Sequence, residues 1–270
     1  MKNLPLMIAA GLLTLSGPRS EAQSLYGTTF FGNELISIDP TTGAGTLIGS
    51  LGATVSPFGV ANRLGLLYTF NPNSSQIQSI SAANGQAGAS FAIGVPAVKG
   101  EGDLAFRNDG VGFLAASLDE NLNPANSLYQ FDITAGTSIR IGSTGVPLDG
   151  LAFVGGTLYA IGQGEGKLFR VDTSTAALTE IGSLGLDQNS PVAGLAAAPD
   201  GSLLGAIDDR LVRIDTTTGL ATPVDATTLD IGFSSVSGLA FAPIPEPPPV
   251  ALITLSAFSL LLWKRQNRKH

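Results

Sequence analysis

Carboxylates are the chemistry-bearing side chains that this sequence repeats in a pattern. Asp39, Asp132, Asp172 and Asp215 each end a short alternating apolar stretch and precede a Thr- or Ser-rich turn. A column of aspartates has two chemical uses. It can form a ring of carboxylates around a cation, or each Asp can accept hydrogen bonds from the amides that follow it in an Asx turn. The segments Asp39-Pro-Thr-Thr-Gly43, Asp172-Thr-Ser-Thr175 and Asp215-Thr-Thr-Thr-Gly219 carry the turn chemistry and favour the second use. Three local groups invite calcium: Asp119-Glu120-Asn121 with Asn123, Asp187 with Asn189, and Asp208-Asp209. Calcium takes six to eight oxygens, and none of the three matches the Asp-x-Asp-x-Asp-Gly loop. The group at 119–123 is the best of them, since it lies in the longest insertion; a solvated loop is the plainer reading.

Other chemistry is removed by composition. The chain has no cysteine, which excludes disulfides, Cys-type zinc sites, iron–sulfur clusters and thiol nucleophiles. Its one histidine is His270, the last residue, so a Ser-His-Asp triad or a His ligand inside the body is excluded too. No segment of the body reads as a catalytic motif, and no cofactor is implied. Charged residues are 13% of the 270, about half the usual quarter, while 44% are hydrophobic.

The elements that position these carboxylates form a repeat. Its first anchor is Gly150-Leu-Ala-Phe153, Gly194-Leu-Ala-Ala197 and Gly238-Leu-Ala-Phe241, with weaker copies at Asp103-Leu-Ala-Phe106 and Gly59-Val-Ala-Asn62. The copies are spaced by about 44 residues. The second anchor is the strand ending in Asp, as in Leu168-Phe-Arg-Val-Asp172; the second repeat has Ser81 at that place. The third closes each unit, as in Leu47-Ile-Gly49, Ile139-Arg-Ile-Gly142 and Leu178-Thr-Glu-Ile-Gly182. The clearest unit predicts strands at 150–154, 157–161, 167–172 and 177–181, with a hairpin turn at Gly155-Gly156. Four short antiparallel strands per unit of this length are the signature of a β-propeller blade.

The ends of the body complete each other. Residues 24–49 hold second, third and fourth strands without a first, and 238–242 is a first strand with no blade after it. Pairing them closes a ring and leaves no open edge. The fold class expected is all-β: a five-bladed propeller over 23–243, with blades at 58–94, 103–145, 150–185, 194–227 and a closing blade from 24–49 plus 238–242. A six-bladed ring with a degenerate blade in 94–130 is the alternative, and an open β-solenoid a third. Arg140, Arg170 and Arg213 are expected on solvent faces, and Tyr26, Tyr68, Tyr129 and Tyr159 in packing.

Both ends read as addresses. Lys2, the apolar run Leu4–Leu15 and Ser20-Glu21-Ala22 make residues 1–22 a signal peptide for the Sec export machinery, cut between Ala22 and Gln23; an uncleaved anchor is the alternative. At the other end, Pro245-Glu246-Pro247 opens a Pro-rich linker over 244–249. A 14-residue apolar run, 250–263, follows; it is about 21 Å long as a helix and ends in Trp263. The basic tail 264–270 then carries Lys264, Arg265, Arg268 and Lys269, which would stop transfer and stay cytoplasmic. Without the six cations of the two ends, 8 of the 14 basic residues remain; without Glu21 and Glu246, 19 of the 21 acidic ones remain. The body's net charge is therefore −11, which repels nucleic acid and anionic lipid.

The segment Pro245–His270 resembles the PEP-CTERM sorting signal: Pro-Glu-Pro, a short transmembrane helix and a terminal Arg/Lys cluster, here interrupted by Gln266-Asn267. That resemblance implies an exosortase as processing partner and a Gram-negative bacterium that makes extracellular polysaccharide. The body resembles secreted bacterial propellers with YVTN, NHL or quinoprotein-like blades, through Leu158-Tyr-Ala-Ile161 and the Ile38–Gly43 turn. The body has no tryptophan, which argues against quinone-cofactor packing.

Residues preceding the inner strands can line one mouth of such a ring: Lys99, Glu101, Asp103, Asp149, Asn189, Ser190, Ser235 and Ser237. Glu101, Asp149 and Asn189 would by type supply the Glu/Asn/Asp set that a metal-dependent, lactonase-type propeller needs. The leading expectation is instead an exported, non-enzymatic binding or structural module. It would be held at the inner membrane before processing, then placed at the cell surface or in the matrix, with a polysaccharide or surface protein as ligand. A plain membrane-tethered scaffold is a further alternative.

Overall fold

A computed structural model describes residues 23–55, 57–96, 102–117, 126–162, 164–186, 193–207, 209–225 and 231–245. Among them every regular element is a strand. The first three are β1 (Gln23–Thr29), β2 (Glu34–Ile38) and β3 (Gly45–Ser50). Blade II follows as β4 (Phe58–Arg63), β5 (Leu66–Asn71), β6 (Gln76–Ile80) and β7 (Ala87–Ala92). Blade III is β8 (Leu104–Phe106), β9 (Gly112–Ser117), β10 (Asn126–Asp132) and β11 (Thr137–Ser143). Blade IV is β12 (Leu148–Val154), β13 (Thr157–Gly162), β14 (Lys167–Val171) and β15 (Leu178–Ser183). Blade V is β16 (Ala193–Ala197), β17 (Leu203–Ile207), β18 (Arg210–Ile214) and β19 (Ala221–Pro223), and β20 (Val236–Pro243) ends the series.

Blade I is built from both ends of the chain. β20 pairs antiparallel with β1, from Gln23 opposite Pro243 to Thr28 opposite Gly238, and the sheet continues through β2 and β3. The five innermost strands, β20, β4, β8, β12 and β16, pack against one another in turn around an axis. The protein is therefore a five-bladed β-propeller. The six-bladed alternative fails because 104–132 forms three ordinary strands of blade III, and the solenoid fails because β1 and β20 close the ring. The clearest unit has its four strands where the sequence placed them. Gly155 and Gly156, at φ 55° and 84°, make the hairpin turn between β12 and β13.

Among the described residues the core is divided by seam. Five apolar clusters each fill one seam between neighbouring blades, and the Leu-Ala anchor shows how. Leu104 packs with Ala61 of the blade before it, Leu151 with Ala105, Leu195 with Ala152, Leu239 with Ala196 and Val60 with Ala240. A large residue thus meets a small one at every step of the ring. All five large side chains are essentially buried, each stabilising by about 1.5–3 kcal/mol. Tyr26, Tyr68 and Tyr129 are buried in these seams, and Tyr159 packs against one. Arg170 is exposed; Arg213 is exposed beside Asp200 and Ser202, and Arg140 donates to Ser127 Oγ at 3.0 Å.

The outer seams explain the other two anchors. The Gly that closes one blade abuts the turn that follows the Asp of the next. A Cβ on Gly182 would overlap the Thr218 carbonyl, and Gly182 and Gly219 lie in mutual contact; Gly49 meets Asn84 and Gly85 in the same way. The aspartate shapes that turn. Asp215 Oδ1 accepts from Thr217 N at 2.7 Å, Thr217 Oγ1 at 2.5 Å and Thr218 N at 3.3 Å. Asp39, Asp132 and Asp172 take two or three such bonds each. The column is a set of Asx turns on the periphery, away from the axis. In blade II, Ser81 stands in its place, and the main-chain bond from Gly85 N to Ser81 O keeps the turn.

Candidate functional site at the throat of the ring

The five inner strands each have a partner on one edge only, so their other edges face the axis. Unpaired strand edges need acceptors and donors. At the end where these strands begin, the ring is drawn tight by glycines at the first anchor position. A Cβ on Gly194 would meet the Gly238 backbone at 2.7 Å, and one on Gly238 would overlap Gly59 and Val60 N. Blade III breaks the pattern, with Asp103 in place of glycine.

Asp103 is the plug of this throat. It is fully buried. Its Oδ1 accepts from Leu104 N at 2.7 Å, and its Oδ2 accepts from Leu151 N on the next blade, also at 2.7 Å. On the preceding side Gly59, at φ 65°, leaves room for the carboxyl; any Cβ there would overlap Oδ1. One side chain thus supplies the acceptor for an open strand edge and joins three blades. Burial pushes its pKa well above the ordinary carboxyl value, against the pull of the two amides, and neighbouring Asp149 pushes it the same way.

Asp149 reaches this place through a backbone irregularity. The β12–β13 register shifts between Leu148 and Gly150, which leaves Asp149 as the extra residue of a bulge. Blade I has a shift at the corresponding place, where Ser237 stands, and Ser237 Oγ donates to the Pro57 and Thr28 carbonyls at 3.3 and 3.4 Å. The β4–β5 register also shifts, between Phe58 and Ala61. Bulges re-aim side chains and gather beside functional sites. Thr69 Oγ1 donates to Gly59 O at 2.7 Å, tying the second strand to the throat. Thr28 Oγ1 and Ser117 Oγ are buried with no hydrogen-bond partner among the described residues.

Of the residues expected at this mouth, the structure brings Asp103 and Asp149 together and sets Ser237 against the Thr28 and Pro57 carbonyls. It corrects their setting, since Asp103 and Asp149 lie in the wall and not on an open rim. Ser235, at φ 58°, donates from its N to Asp209 Oδ1 at 2.7 Å. Lys99, Glu101, Asn189 and Ser190 lie outside the described residues. So do Asp119, Glu120, Asn121 and Asn123, with Asp187 and Asp208. Gln23 opens β1 and Pro245 is exposed; Ala22, Glu246, Pro247, Trp263, Lys264, Arg265, Arg268 and Lys269 lie outside. No helix long and apolar enough to cross a membrane occurs among the described residues.

The donor set can be tested against a divalent cation. Among the described residues no group of three or more His, Asp and Glu side chains converges. Both Asp103 oxygens already accept main-chain amides. The described throat by itself does not complete a cation site.

Sequence reasoning missed the far end of the axis. There the inner strands diverge into a funnel of about 330 Å³, walled by all five. Its rim includes Asn62, Arg63, Phe106 and Arg107. The available signal was that Arg63 and Arg107 each stand four residues beyond the same anchor position.

No protein-family model matches the chain, and no curated protein matches it in sequence. Solved structures do, in 581 chains, a breadth that identifies an architecture and not an activity. One is a gluconolactonase from Xanthomonas campestris, 17% identical with a TM-score of 0.53, over 73% of this chain and 70% of that one. Another is a chain of a nidogen/laminin complex, 8% identical with a TM-score of 0.52, over 82% of this chain and 98% of that one. One is an enzyme and the other part of a protein complex, and what this chain shares with both is the propeller fold.

Proposed function

We propose that the protein is an exported propeller that acts at the cell surface or in the extracellular matrix as a binding or structural module. The carrying observation is the ordered series Pro245-Glu246-Pro247, apolar run and basic cluster, set directly behind a ring whose last strand is Pro243's. The tail is a PEP-CTERM sorting signal for an exosortase, residues 1–22 are a signal peptide, and the source is a Gram-negative bacterium. The throat supports the non-enzymatic part, because its plug carboxyl is committed to main-chain amides. The test is the intact mass of the protein recovered from its native cells. A mass running from Gln23 to the Pro-Glu-Pro region is expected; a mass reaching His270 would leave a plain tethered propeller.

A second reading has its own observation. Asp149 sits in a bulge beside the axis, and the fold is shared with a gluconolactonase. A lactonase-type hydrolase would use Asp149 with Glu101 and Asn189 around a divalent cation. Purified protein would then hold about one equivalent of metal, open a lactone ring and lose both properties on Asp149→Asn. Metal-free protein with no thermal shift on adding calcium counts against it.

A further inference from the structure

We propose that the axial funnel opposite the throat is a binding site for a small monovalent sugar acid. The inference deepens the binding-module reading and rests on it. Three features of the funnel select the ligand.

The first is its wall. Val60, Leu104, Leu151, Leu195 and Leu239, with the alanines that follow them, line the funnel, but their side chains are already packed in the seams. What faces the axis is the unpaired edge of five strands. At the throat Asp103 satisfies part of that edge, and at the rim Asn62 Nδ2 donates to Phe241 O at 2.6 Å. Between those levels the edge presents N–H and C=O groups in alternation. A hydroxyl both donates and accepts, so a polyhydroxylated frame fits such a wall better than a hydrocarbon does.

The second is the rim. Arg63 is fixed by its Nε bond to Gly110 O at 3.2 Å and by its place over the Phe106 ring, 6.0 Å from the centroid. No described group accepts from its two terminal nitrogens. Arg107, also on the rim, is instead spent on Asp109 at 2.8 Å. The rim therefore has one guanidinium whose terminal nitrogens are open to a carboxylate, while its charge also reaches Asp132 and helps to hold that carboxyl low.

The third is size and charge. A volume of about 330 Å³ lies at the small end of ligand pockets, which run from about 300 to 1,000 Å³. That admits one sugar acid. The acidic body disfavours a polyanion or a dianionic phosphate ester at this mouth.

The experiment is equilibrium binding of sodium D-gluconate to the protein, with D-glucose and sodium acetate as partial probes. Gluconate is expected to bind at least about tenfold more tightly than either, as one charge-assisted pair and a set of hydroxyl contacts would each contribute. Arg63→Ala should weaken it about tenfold. Ala197→Trp, which fills the funnel from blade V without touching Arg63, should abolish it, with both variants checked for an unchanged thermal midpoint. No gluconate binding by the parent protein overturns the proposal. So does binding that survives both variants, or that is lost only on Asp149→Asn, which places the ligand at the throat. Export is read separately from the intact mass, so either idea can fail alone.

Discussion

Asp103 and Asp172 carry the same side chain and belong to the same repeat, yet they stand in opposite surroundings. Asp103 lies on the axis, fully buried, and its carboxyl is pushed up by burial. Asp172 lies on an outer turn, open to water, and is held below the ordinary value by the Ser174 hydroxyl and the amides of Ser174 and Thr175. Asp39, Asp132 and Asp215 behave as Asp172 does. The difference teaches how a propeller divides its labour. The periphery repeats one carboxylate solution in four of the five blades, while at the axis one blade departs from the glycine of the other four.

That contrast can be broken most sharply at Gly59. Gly59→Ala would drive a Cβ into the Asp103 carboxyl at a left-handed position. Overpacking and backbone strain together should cost about 3 kcal/mol or more. The thermal midpoint should fall by about 6 °C or more, read by calorimetry; an unchanged midpoint would mean that the plug is not wedged. Next is the outer seam. Gly182→Ala presses on the Thr218 carbonyl at an ordinary φ and should cost about 2 kcal/mol, seen as a lower denaturant midpoint with an unchanged slope.

Asp103→Asn follows. It keeps the shape but turns an amide NH2 toward one of two N–H donors, at a cost of about 1–2 kcal/mol. Its pH behaviour is the more telling result. A native pKa above the unfolded one stabilises fully below about pH 3.9 and progressively less as pH rises through the native value. The gap in midpoint between parent and Asp103→Asn should therefore be widest in acid and narrow toward pH 8. A gap that widens with pH would show that the buried group is held as the anion. The smallest effect belongs to Asp172→Ala, which loses turn bonds in open water. Its sign with pH is reversed, since a lowered pKa contributes above about pH 3.9 and fades in acid.

Much of the architecture was legible in the chain. Gly-Leu-Ala recurs because each inner strand needs one large and one small side chain for its two seams, so the count of blades could be read from spacing. The half-blades at 24–49 and 238–242 announced the closure. The turn role of the Asp column was legible because its partners are two and three residues away. The throat was not. Asp103-Leu-Ala-Phe106 reads in one dimension as a worn copy of the anchor, and only the ring shows that the absence of a fifth glycine is where a carboxyl fits. The bulge at Asp149 is equally silent, since it depends on pairing between β12 and β13. The funnel went unseen because its wall is main chain, to which residue types hardly speak.

The pairing of β20 with β1 also sets a clock. Gln23 and Pro243 stand opposite each other although some 220 residues separate them, and non-local pairings of this kind are the slow ones in folding. Until Val236–Pro243 has emerged, whatever the rate of synthesis, blades II to V can at best form an open horseshoe with an unfilled edge. The last strand to be made is thus the clasp, and the chain meets water as a finished object only once its own final body residues have arrived. A chain stopped before residue 236 should be the species that proteases find first.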